Sequence, residues 1–147
     1  MKFLLIALLI GRWASCEASP ATNDADRVFV YMTIGDRSCS GTNIWWLSAT
    51  QAARLPKWHS GGAQPPLSLN KALKSAKKWI DSKGGGSVEE VVLRPVGRND
   101  SSPYRNLFYY RFTFGVAPYL NHLSCIILMD GTTLEPECHE HAELRRN

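Results

Sequence analysis

Leu107-Phe108-Tyr109-Tyr110-Arg111-Phe112-Thr113-Phe114-Gly115-Val116 alternates as a β-strand must. Phe108, Tyr110, Phe112, Phe114 and Val116 fall at every second position and share one face, with Tyr109, Arg111 and Thr113 on the other. Aromatic side chains bury about 150 to 250 Å² each, so this face needs an apolar partner of matching length. One lies upstream. Leu69, Ala72, Leu73, Ala76, Trp79 and Ile80 recur at helical spacing and form one stripe, with Lys71, Lys74, Lys77 and Lys78 on the other side. Ser68 is a good N-cap, and Gly84-Gly85-Gly86 ends the helix because glycine enters the left-handed conformation without steric cost.

The neighbouring segments complete a sheet. Val88 to Val96 is β-branched and ends near Pro95, and Leu123 to Met129 is apolar on both faces, as a central strand is. Asp130-Gly131 signals a turn before Thr132-Thr133-Leu134. Further upstream, Arg27 to Ile34 alternates, with Val28, Val30, Met32 and Ile34 set against Phe29, Tyr31 and Thr33. Turn residues follow, and Asn43 to Leu47 reads as the returning strand of a hairpin. Ser48-Ala49-Thr50-Gln51 has the form of a capping box for a short helix ended by Pro56. The expected architecture is α+β: an antiparallel sheet with one long helix packed on one face, preceded by an N-terminal hairpin and short helix.

A chain of 147 residues with 44% hydrophobic and 20% charged residues suits a single domain. Its N-terminus reads as an export signal: Met1-Lys2, an apolar run from Phe3 to Ile10 too short to span a bilayer, then small residues that permit cleavage after Ala18 or before Cys16. Ala14-Ser15-Cys16 is similar to the end of a bacterial lipobox, which makes Cys16 a candidate for lipidation and the one route of membrane contact. The expected division is signal 1–18 (or 1–15), polar leader 19–26, folded domain 27–136 and polar tail 137–147. Cleavage before Cys16 removes Lys2 and Arg12 and leaves 15 bases against 13 acids. So small an excess gives no electrostatic case for a nucleic-acid partner.

The helix Leu69 to Ala76, the strand Glu90 to Arg94, the strand Phe108 to Phe114 and the terminal Ile127-Leu128-Met129-Asp130-Gly131-Thr132-Thr133-Leu134 together resemble a PepSY-like domain over residues 68–135. The resemblance implies an exported, periplasmic or secreted module that binds or restrains a protein or peptide partner, without catalytic residues or a cofactor.

The chemistry-bearing residues divide into few groups. An exported chain favours disulfides, and Cys39, Cys125 and Cys138 are the candidates, with the pairing open. Cys138, His139 and His141 can be read as a Zn²⁺ or copper site, or as a polar tail whose cysteine is oxidised. His122 and Cys125 are three apart on a strand and point to opposite faces, which argues against a nucleophile pair. Trp45, Trp46 and Trp58 offer an aromatic platform for a partner or pack beneath the long loop before Pro66. Lys71, Lys74 and Lys78 form a basic strip for an acidic partner or simply a solvated helix face. No paired acid and base falls on one predicted face, so the expectation is a binding module rather than an enzyme.

Overall fold

The computed structural model describes residues 26–36, 39–59, 61–97, 103–116 and 121–140. The expected export signal, Cys16, most of the expected leader and His141 lie outside them. Among the described residues nine elements follow one another: β1 (Arg27–Asp36), β2 (Cys39–Ser48), α1 (Ala49–Arg54), α2 (Leu69–Ser82), β3 (Ser87–Pro95), β4 (Phe108–Val116), β5 (Asn121–Leu128), β6 (Thr133–Leu134) and β7 (Glu137–His139). They form two antiparallel sheets, ordered β1-β2-β7 and β3-β4-β5-β6. The fold is α+β, and the long helix lies on the four-stranded sheet as expected.

Strand β4 organises the molecule. Tyr110, Phe112, Phe114 and Val116 project toward α2, joined from β5 by Leu123, Cys125 and Ile127. The helix meets these large rings with Ala72, Ala76 and Ile80, small residues in two of three places, so its backbone can approach the sheet closely. Leu69, which begins the apolar stripe, stays 48% exposed beyond the sheet.

The other face of the sheet is covered as well. Tyr109 from β4, with Ile126 and Leu128 from β5, packs against Val28, Val30, Trp45 and Leu47 of the hairpin, and α1 closes this second core with Ala52 and Leu55. The order of layers is therefore α2, four-stranded sheet, three-stranded sheet. This explains why β5 is apolar on both faces.

The caps follow from sequence chemistry. Ser48 and Gln51 exchange side-chain and backbone hydrogen bonds at 3.0 Å each, a complete capping box. Ser68 accepts from the Lys71 N–H at the start of α2. At its end the Gly85 N–H reaches the Ile80 carbonyl and the Gly84 N–H that of Asp81, both glycines having positive φ, which is a Schellman closure.

Two expectations are corrected by the C-terminal segment. Residues from 137 onward read as a polar tail, yet Glu137–His139 is strand β7 and extends the hairpin beside β2. The pairing is close because Gly41 has no side chain: a Cβ there would stand 2.0 Å from the His139 carbonyl oxygen. A disulfide between Cys39 and Cys138, 99 residues apart, fastens the same pair of strands. Cys125 is consequently no disulfide partner. It is the buried free thiol among the described cysteines, held in the α2-facing core.

Candidate functional site

The residues singled out by sequence do not converge. Trp45 is a correction: at 0% exposure it is a core residue, its indole N–H donating to the Leu134 carbonyl at 3.2 Å. Adjacent residues on a strand point to opposite faces, so the Trp-Trp dipeptide can present only one ring outward. That ring is Trp46, half-buried against Phe29 at 5.6 Å and beneath the Arg27 guanidinium. Trp58 is structural. It stacks edge-on against Phe108 at 4.9 Å, and its indole N–H donates to Ala63, which fastens the loop before α2. Lys71, Lys74 and Lys78 are exposed along α2. Because α2 and the hairpin sheet are the two outer layers, these lysines and Trp46 cannot touch one partner face together.

The metal reading loses its sulfur. Cys138 is joined to Cys39 and offers no thiolate, His139 stands 3.8 Å from Glu137, and His141 lies outside the described residues. Among the described residues no group of three His, Cys, Asp or Glu is placed to hold a metal ion. His122 pairs with Glu89 at 2.8 Å on the surface. Cys125 is buried on the α2 side of the sheet, and desolvation pushes its thiol up to about 12.

A surface that sequence reading missed is built around β1. Among the described residues this strand has β2 on one side and no strand on the other. A register shift between Phe29 and Tyr31 interrupts the simple alternation. Val28 before it and Val30 at it point into the core; after it Tyr31 does, packing on Trp45 at 5.6 Å. Met32 and Ile34 consequently pair with Ile44 and Thr42 on the outer face, beside Phe29 and Trp46. Both are exposed, Met32 at 39% and Ile34 at 64%. The alternation expected from sequence placed them with Val28 and Val30; apolar residues on both faces gave no sign of the shift.

The open edge of β1 borders a groove of about 390 Å³. One wall is Phe29 to Met32, the other is Arg94, Pro95 and Gly97 from the end of β3 and beyond, and Tyr109 forms the floor. The Tyr109 hydroxyl donates to the Val30 carbonyl at 3.3 Å and ties the two sheets together. Burial raises its pKa, while Arg94 and Arg111 act in the opposite direction. Arg111 is occupied: it bonds the Tyr31 hydroxyl at 2.6 Å, lies over that ring at 5.0 Å and pairs with Glu90. Arg94 is exposed, with no ion pair or hydrogen bond to the described residues.

The other sheet has a comparable edge at β3, but it is guarded. Glu89, Glu90 and Arg94 supply charges, and Pro95 lacks an N–H. These features discourage strand addition. From Val28 to Ile34, β1 carries neither charge nor proline.

Comparison with protein-family models, curated proteins and solved structures finds no match to this chain.

Proposed function

We propose that this protein is an exported, non-enzymatic, PepSY-like module that binds or restrains a protein or peptide partner outside the cytoplasm. The observation that carries the reading is the unguarded edge of β1 with Met32 and Ile34 exposed beside it. An extended segment added there gains main-chain hydrogen bonds, while its alternate side chains meet Met32, Ile34, Ile44 and Trp46 on one face. Sheet edges left open and apolar also recruit unwanted partners, so an edge kept free of charge is consistent with use.

The location is supported by two features. The Cys39–Cys138 disulfide is compatible with an oxidising compartment, and the N-terminal Phe3 to Ile10 run has the length of a secretory h-region. A lipid on Cys16 would hold the module at a membrane surface; no helix among the described residues is long and apolar enough to cross one. The non-enzymatic reading is supported by the state of the reactive groups: the Cys125 thiol stays protonated at neutral pH, and Arg111 is consumed by Tyr31 and Glu90.

A site-specific photocrosslinker tests the reading in the cells that make the protein. Placed at Ile34 it should yield a discrete adduct, which Met32→Lys should diminish; placed at Lys78 on the opposite layer it should not. Adducts from Lys78 alone, or none from Ile34, would reject β1 as the contact.

A further inference from the structure

We infer that the groove between β1 and the end of β3 recognises a carboxylate on the bound segment, with Arg94 as the recognising residue. The inference rests on the strand-addition reading of β1 and adds the chemistry of the occupant: an extended acidic peptide.

Neighbouring strands lie about 4.8 Å apart, so a peptide paired with β1 runs along the mouth of the groove. Every second side chain of that peptide points inward, toward Tyr109 and the β3 wall. Arg94 pairs in register with Tyr109 on β4 and therefore starts from the face of the sheet that looks toward β1. Among the described residues no ion pair cancels the charge at this position. Along the same face of β3 the carboxylate is Glu90, and Arg111 takes it. Arg94, two positions beyond Val92, makes no ion pair with a described residue and lines the groove.

The floor reinforces the sign. Two guanidinium groups act on the buried Tyr109 hydroxyl, whose own proton is committed to the Val30 carbonyl. A guanidinium offers parallel N–H donors that match a carboxylate and no other common side chain as well. Glutamate has the reach to enter from a strand at the mouth, while Lys at that position would meet like charge. Specificity here combines an attraction with a repulsion.

The test uses the full mature chain with its disulfide intact and a panel of fluorescent eight-residue peptides of alternating Val and Ser. One position at a time carries Glu, Gln or Lys, and a second set is N-methylated on alternate amides. At low ionic strength the Glu peptide at one inward position should bind at least tenfold tighter than its Gln counterpart, and the Lys peptide weaker than either. Arg94→Gln should erase the Glu preference and leave Gln-peptide affinity unchanged; Lys78→Gln on the opposite layer should preserve it. N-methylation should abolish binding throughout. Equal affinity for Glu and Gln, or a Glu preference that survives Arg94→Gln, overturns the carboxylate inference and leaves strand addition standing. Failure of every peptide, or indifference to N-methylation, overturns strand addition and this inference with it.

Discussion

Phe112 and Arg111 are consecutive residues whose environments differ in kind. Phe112 is at 0% exposure between α2 and β5, and Phe112→Ala should cost about 3 to 5 kcal/mol in urea melts. From its alternation alone Arg111 reads as a solvent-facing residue whose loss costs little. The hairpin sheet changes that: Arg111 is covered by Tyr31 and bonded to it and to Glu90. Arg111→Ala should therefore cost about 1 to 3 kcal/mol, and Tyr31→Phe should recover part of that loss as coupling in a double-mutant cycle. A cost within about 0.5 kcal/mol would mean the contact is not maintained in solution. Cys125 makes a second residue-scale prediction. Burial keeps its thiol protonated up to about 12, whereas the unfolded chain ionises near 9.0. Below about pH 9 both states hold the proton; above it the unfolded state holds fewer, so stability falls as pH rises toward 12, by about 1.4 kcal/mol per pH unit for one such group. Tyr109 and Tyr110, also raised by burial, add to the fall at higher pH. Cys125→Ala should make the decline between about pH 8.5 and 10.5 shallower; an unchanged slope would show the thiol to be hydrated.

At the scale of elements, β7 is where short range and long range meet. Its three residues are kept against β2 by the disulfide, by the bare Cα of Gly41 and by the two hydrogen bonds that Arg27 donates to Glu137. Closing a loop of this length in the unfolded chain is worth about 4 to 5 kcal/mol in the chain-entropy model. A Cys39→Ser/Cys138→Ser double variant should lose a comparable amount by urea melts, with α2 retained by circular dichroism. Gly41→Ala should cost about 1 to 3 kcal/mol and speed reduction of the disulfide by dithiothreitol, because a Cβ cannot share space with the His139 carbonyl. Wild-type behaviour in that variant would show that β2 and β7 do not pair as described. The elements that could be read beforehand are those whose signals are local. The α2 stripe, its Ser68 cap, the glycines that end it and the β4 alternation each state their structure within a dozen residues. Strand β7 has no such signal, since polar residues 137–139 become a strand through Gly41 and Cys39 a hundred positions away. The shift at Val30 was hidden for a related reason: with Phe29, Tyr31 and Met32 all apolar, either face of β1 satisfies the pattern. The proposed docking surface depends on that shift, so it was not legible either, and Trp45 and Trp46 read together as one platform although neighbouring strand residues face opposite ways.

The whole molecule places a tightly filled four-stranded sheet between two unlike outer layers. One is a helix with a lysine face; the other is a three-stranded sheet with an apolar outer face and an unguarded edge. Partner binding is proposed for the second layer. Amide hydrogen exchange measures it directly, because outward N–H groups of a free edge exchange with solvent while those paired to an added strand do not. With the best Glu-bearing peptide of the panel at saturation, the outward-pointing amides between Phe29 and Ile34 should slow by at least tenfold, and those of α2 and β3 should keep their free rates. Protection that appears on α2, or β1 amides that exchange as fast with the peptide as without it, would contradict the account.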